Sequence, residues 1–274
     1  MIPVDFIAEW RERVPWVQSS QVEQDLVISR ALVEIFGDPN LARALAFRGG
    51  TALFKLHLTP APRYSEDIDL VQSVAEPIGP TLDHLHARLD GWLGVPKRSL
   101  KEGGATLLYR FASEDAPPLP LRLKIEIHSR EHFSVLGLES RHFEVRSRWF
   151  SGAASVSTYT LDEMLGTKLR ALYQRKKGRD IFDLWWASKH AAVNFDRVVR
   201  CFGEYLEAEG HRVSRAELEA NLAGKLEDRR FTADLQPLLA PGVEWDLDSA
   251  ARLIFDEIAP RLRGEPWKGL KASK

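Results

Sequence analysis

Asp67 and Asp69 stand two residues apart in the run Asp67-Ile68-Asp69-Leu70-Val71. In an extended strand, residues two apart project from one face, so both carboxylates point the same way while Ile68 and Leu70 point into a core. Like charges held side by side repel, and a cation between them relieves the repulsion. Magnesium suits that position, with manganese as an alternative, because it binds through one or two carboxylates plus the phosphates of a substrate. Upstream, Gly49-Gly50-Thr51 follows a short apolar strand at residues 44–47 and opens a helix over residues 52–57. The glycines let backbone approach a ligand, the amides at a helix start attract anions, and Thr51 can add its hydroxyl. Arg63-Tyr64-Ser65-Glu66, just before the aspartates, brings a cation and the Ser65 hydroxyl to the edge of the same site. A Gly-Gly-Thr turn alone describes many loops, and Asp-x-Asp alone describes a solvated edge strand. Joined in this order, they supply what a metal-dependent nucleotidyl transfer site needs, a phosphate cradle and a carboxylate clamp.

A second cluster lies at residues 161–186. Leu161, Leu165, Leu169 and Leu172 form a buried helical stripe, with Thr160 or Asp162 placed to cap its start. Lys168 and Arg175, seven residues apart, share a face off that stripe. Cations so placed can hold the β and γ phosphates of a nucleotide. Gly178 breaks the helix, and Asp180 and Asp183 begin the next one. Acids near a helix start also serve as caps, so both roles are open for this pair.

These residues must be positioned by a mixed sheet and its helices. Residues 21–36 carry apolar side chains at helical spacing, and Gly37-Asp38-Pro39-Asn40 ends that run. Residues 76–80 form a turn before a helix at 81–93. Strands follow at 106–111 and 121–128, with a loop at 114–120 between them, and shorter ones at 143–146 and 154–158. From residue 161 the pattern is helical. The expectation is an α+β chain, with a mixed sheet domain and flanking helices over 1–160 and a helical domain over 161–274 that contributes Lys168, Arg175 and Asp180 to the site.

The segments GGTALFKLHL and RYSEDIDL, then Lys168 and the basic-Asp-x-x-Asp helix at 179–183, resemble the AbiEii/AbiGii (MenT-like) nucleotidyltransferase toxins. That family is a branch of the DNA polymerase beta-type nucleotidyltransferases, and the motifs cover about half of the chain, between Gly49 and Asp183. The resemblance implies a polymerase beta-type sheet domain and transfer of NMP from an NTP to RNA, some members extending the tRNA 3′ end. It implies a functional lysine at Lys168, a later functional aspartate at Asp180, and an antitoxin encoded next door. Asp183 by the same comparison is structural, orienting Lys168 or Arg175. The superfamily places a third carboxylate on a strand beside the aspartate pair, a position that Glu126 fits. A surface strand with Lys124 and Glu126 facing water fits that sequence equally well, and His128 at its end reads as a base or phosphate ligand or as a structural histidine. Ser65, two before Asp67, is exposed to modification; a phosphate there would add negative charge beside the clamp. Acceptors other than RNA, a protein or small molecule, and a non-catalytic nucleotide-binding module are the competing readings.

Composition sets bounds. The 274 residues carry a net charge of −1, which excludes a uniformly basic nucleic-acid binder and leaves local basic stretches at 141–148 and 170–179. Cys201 is the only cysteine, so no internal disulfide forms, and a half-buried helix thiol is the expected role. Trp185-Trp186 reads as core closure between the domains, with base stacking as the rarer use. No segment has the length and apolarity of a membrane span or a signal peptide, so the chain reads as cytoplasmic, with no membrane partner.

Overall fold

A period of two in apolar side chains builds the sheet that carries the aspartates. The computed structural model describes residues 2–269, and the chain divides into two compact units, Met1–Tyr159 and Thr160–Lys274. The first unit runs α1 (Val4–Arg11), α2 (Ser19–Phe36), α3 (Pro39–Ala44), β1 (Leu45–Arg48), α4 (Gly49–Ala52) continued by a π-helical turn (Leu53–His57), β2 (Asp67–Gln72), α5 (Ile78–Leu93), β3 (Lys97–Lys101), β4 (Gly104–Ala112), β5 (Pro120–His128), β6 (Leu138–Arg146) and β7 (Ser151–Tyr159). The strands form one mixed sheet in the order β3-β4-β5-β2-β1-β7-β6. Strand β2 is central: β1 pairs with it antiparallel on one side and β5 parallel on the other. Ile68 and Leu70 of β2 lie opposite Ile125 and Ile127 of β5, and all four are buried. That row is the apolar face of the sheet. Helix α2 covers the sheet by packing on β5 and β7, burying Val22, Leu26, Val27, Ala31, Leu32 and Ile35.

Three elements have no counterpart in the sequence expectations. Helix α1 is tied down by Trp10, whose indole donates to Asp25 at 3.0 Å; Trp16 donates to the same carboxylate at 3.2 Å. Lys55, from the π-helical turn, bonds Asp25 at 3.0 Å, so a single buried acid gathers three segments. Asp38-Pro39, expected only to end α2, starts α3: Asp38 accepts from the amides of Asn40 and Leu41, and Pro39 occupies the first turn, where its missing N–H costs nothing. Strand β3 is exposed along its length, an edge strand with Lys97, Arg98 and Lys101, so it shows no alternation to read. Strands β6 and β7 extend well beyond the segments expected at 143–146 and 154–158, each pairing along nine residues.

The second unit contains α6 (Leu161–Gln174), α7 (Gly178–His190), α8 (Phe195–Ala208), α9 (Arg215–Leu226), α10 (Arg229–Ala233) and α11 (Leu247–Arg252), with short π and 3-10 turns near the end. Thr160 caps α6 by accepting from the Glu163 amide. The other end of α6 is closed by a side chain from α9: Lys225 donates to the carbonyls of Leu172 and Tyr173. An ammonium at a helix C-terminus satisfies carbonyls that the helix leaves unpaired. Met164, Leu165, Leu169 and Leu172 bury against this bundle, with Val198, Phe202 and Tyr205 contributed by α8. Cys201 is fully buried rather than half-buried, and burial pushes its thiol up to about 12. The Trp185–Trp186 pair packs with Phe182 inside this unit, and Trp186 stacks on His190 at 3.8 Å.

Candidate functional site

The sheet places four ionisable side chains of β2 and β5 in two adjacent rows. Register sets Asp67 opposite Lys124 and Asp69 opposite Glu126, and alternation turns all four to the face away from the apolar row. The structure brings Glu126 beside the aspartates. Lys124 bonds Glu126 at 2.9 Å and stands 3.8 Å from Asp67. Burial works against its ammonium, but Glu126, Asp67 and Asp69 outweigh that and raise its pKa. Burial raises the Asp67 carboxyl to about 6, aided by Asp69, Glu66 and Glu126 and opposed by Lys124. Arg48, at the end of β1, lies opposite Asp69 from the other side and bonds Glu131 at 2.5 Å. His128 shares this face; burial, then the charge of Arg48, lowers its pKa.

The Gly49–Gly50 turn abuts these acids. Gly49 has φ +86°, a conformation that side chains with a Cβ rarely adopt, and an added Cβ would lie 2.1 Å from Asp69 Oδ2. At Gly50 an added Cβ would meet Arg63 at 2.7 Å and Ser65 at 3.0 Å. Two expectations change here. Arg63 is 1% exposed, its guanidinium 5.0 Å from the Phe54 ring centroid and against Gly50, so it packs on the turn as a buried cation and is not a solvent-facing one. Thr51 is buried, with its hydroxyl 2.6 Å from the Asp67 carbonyl and 2.9 Å from Ser65 Oγ. It braces the turn to β2 instead of facing a ligand. Ser65 is half-buried at the rim.

A divalent cation fits the donor set. Carboxylate oxygens on neighbouring strands are hard ligands, and magnesium takes only one or two of them beside substrate phosphates. Among the described residues no three acids or other ligands form a ready cage; Lys124 sits between Asp67 and Glu126 instead.

In the second unit, Lys168 lies 2.8 Å from Asp183 and 3.7 Å from Asp180, and all three are buried. Arg175 forms a two-pronged pair with Asp180, at 2.7 and 2.8 Å. The expected shared helix face for Lys168 and Arg175 is corrected: α6 ends at Gln174, and Arg175 is its extended C-cap, turned onto the first turn of α7. The helix break is therefore at 175–177, and Gly178 is already helical. The basic stretches also change character, since Arg141, Arg146 and Arg148 pair with Glu139, Glu144 and Asp5, and Arg170 with Glu209.

Arg48 and Lys124 are the site residues that sequence reading passed over. Arg48 directly precedes the turn, and Lys124 is two before Glu126 on an alternating strand; those positions were the available signal.

A mixed sheet with a paired-aspartate central strand, a glycine turn against the acids and flanking helices defines a nucleotidyltransferase-type domain. The sequence profile of the AbiEii nucleotidyl transferase toxins, of type IV toxin–antitoxin systems, matches residues 30–253, and the chain belongs to that family. Among solved structures it is similar to MenT4, a nucleotidyltransferase toxin of Mycobacterium tuberculosis H37Rv, with 16% identity, TM-score 0.66, and 96% of this chain and 91% of that one covered. JHP933 from Helicobacter pylori is also similar, with 16% identity, TM-score 0.50, and coverage of 90% and 96%. No curated protein matches the sequence. Among the described residues, no helix is long and apolar enough to cross a membrane.

Proposed function

We propose that this toxin transfers a nucleoside monophosphate from an NTP to an RNA hydroxyl, with the tRNA 3′ end as acceptor, in the cytoplasm and under the restraint of a cognate antitoxin. The observation that carries the reading is the close approach of the Gly49 backbone to the Asp69 carboxylate, where an added Cβ would lie 2.1 Å from Oδ2, so that a glycine turn with free amides abuts the paired acids.

Asp67 and Asp69, with Glu126 beside them, would hold magnesium or manganese. When bound, the metal neutralises phosphate charge and activates the reacting phosphorus toward attack. The amides of the Gly49–Gly50 turn hold the phosphate tail, with Ser65 at its rim. The acceptor oxygen bonds to the α phosphorus as the bond to pyrophosphate breaks; pyrophosphate leaves with the electron pair, and the hydroxyl proton passes to one aspartate. Lys168, Arg175 and Asp180 enter on the family pattern, the two cations offsetting the charge of pyrophosphate. Their ion pairs with Asp180 and Asp183 hold them in fixed rotamers.

Incubation with labelled NTPs and total RNA, then with cell protein, tests the reading. Label on tRNA that disappears in Asp67→Ala and Lys168→Ala supports it; label on protein alone overturns the RNA acceptor.

A further inference from the structure

A cavity of about 540 Å3 lies in the first unit between the start of α2 and the β4–β5 pair, with Glu66, the residue before Asp67, and Arg122, two before Lys124, in its lining. Its lining includes Ser20 and Gln24, both buried, with the Gln24 amide donating to the Arg122 carbonyl at 2.6 Å. Tyr64 also faces it, held edge-on against Trp16 at 5.2 Å, and Phe111, Arg110 and Arg122 complete the walls. Pockets of roughly 300–1,000 Å3 suit small ligands, so one nucleotide fits.

The two arginines are the informative feature. Arg110 and Arg122 lie directly opposite each other across the β4–β5 pair, an arrangement that like charges disfavour. Glu66 is 3.6 Å from Arg122, and Arg110 has no ion-pair partner among the described residues. An anion between them relieves the repulsion. Strand alternation puts Arg122 on the face of Lys124 and Glu126, so the basic pair continues the row of the acids along β5.

Direction of attack then selects the ligand. In an in-line displacement the entering and leaving oxygens lie on opposite sides of the phosphorus. The strand order places β1, with its turn, on one side of β2, and β5 and β4 on the other. With pyrophosphate leaving at the turn, the acceptor enters from the β5–β4 side, where the cavity opens. This step rests on the transfer reading given above.

We propose that the cavity is the acceptor subsite, holding the nucleotide just 5′ of the attacking hydroxyl at a single-stranded RNA 3′ end. Its phosphate lies between Arg110 and Arg122, its base lies against Tyr64 and Phe111, and Ser20 and Gln24 meet the base edge. A single strand is required because the base must leave its stack to enter.

The test compares wild type with Arg110→Gln/Arg122→Gln and Phe111→Ala, using a short RNA with a single-stranded 3′ end. The double variant is expected to raise KM for RNA at least tenfold and to flatten its salt dependence, because fewer phosphate contacts remain. Phe111→Ala is expected to raise it roughly 5- to 160-fold, the range of one base–aromatic contact. The thermal shift with magnesium and NTP stays at the wild-type value in both, which also reports that they fold. Unchanged KM in both variants, with wild type active on RNA, overturns this subsite. Wild type that shifts with magnesium and NTP yet labels no RNA overturns the transfer reading itself, and the subsite with it.

Discussion

Asp69 of β2 lies in register opposite Glu126 of β5, so a residue 57 positions further along the chain sets a third carboxylate beside the aspartate pair. The three acids are not equivalent, because magnesium needs only one or two protein carboxylates. Asp69→Asn is expected to lower kcat/KM by roughly two to three orders of magnitude, and Glu126→Gln by about tenfold. Manganese titration of both variants separates lost metal binding from a lost base: equal affinities in Asp69→Asn and wild type would contradict the metal role.

Lys124 competes with any cation for the same oxygens, standing 2.9 Å from Glu126 and 3.8 Å from Asp67. Lys124→Met should therefore tighten manganese binding several-fold in the absence of nucleotide. Weaker binding in that variant would show that the ammonium supports the site instead.

Asp67 gives the site a pH dependence. Its carboxyl is raised from 3.8 to about 6, mainly by burial, so below that pH a proton competes with the metal. Affinity is expected to fall by up to about tenfold per pH unit below 6. The stability sign is opposite for the metal-free protein. The folded state binds this proton before the unfolded chain does, so this group makes stability rise as pH falls from about 6 toward 4. Metal titrations and denaturant melts at pH 5 and 7.5, with Asp67→Asn as the control that removes both trends, check the two signs.

His57 acts in the other direction. Burial, then the charge of Arg141, lowers it from 6.5 to about 4, against the opposing pull of Glu139 and the Tyr159 backbone. The unfolded chain takes up this proton first, so the contribution is fully present above pH 6.5 and is lost progressively as pH falls to about 4. The loss reaches about 3 kcal/mol. A His57→Leu variant should show a flatter stability profile over that window.

Lys168 and Asp183 form a buried pair at 2.8 Å. Removing one partner strands a charge and costs about 3–5 kcal/mol, whereas replacing both with apolar residues restores much of that. Asp183→Leu should lower Tm sharply, and Lys168→Met/Asp183→Leu should regain most of it while remaining inactive. Recovery of activity in the double variant would make Lys168 a structural residue only.

Local pattern made some of this legible and not the rest. Strands β2 and β5 are readable because Ile68 and Leu70, and Leu123, Ile125 and Ile127, alternate with polar residues and bury. Strand β3 is not, since every residue from Lys97 to Lys101 is exposed. Helix α1 is held by Trp10 reaching an acid fifteen residues away, which no helical period announces.

The sequence by itself determined that Asp67 and Asp69 share a face, because the strand period is two, and that glycines precede them where a backbone must come close. Tertiary structure decided which charges meet those carboxylates. Strand pairing put Arg48 and Glu126 on either side of Asp69 and Lys124 opposite Asp67. Burial packed Arg63 against Gly50 of the turn, and the early end of α6 turned Arg175 onto Asp180. Such outcomes depend on register and on where a helix stops, and both are set by packing among segments that are distant in the chain.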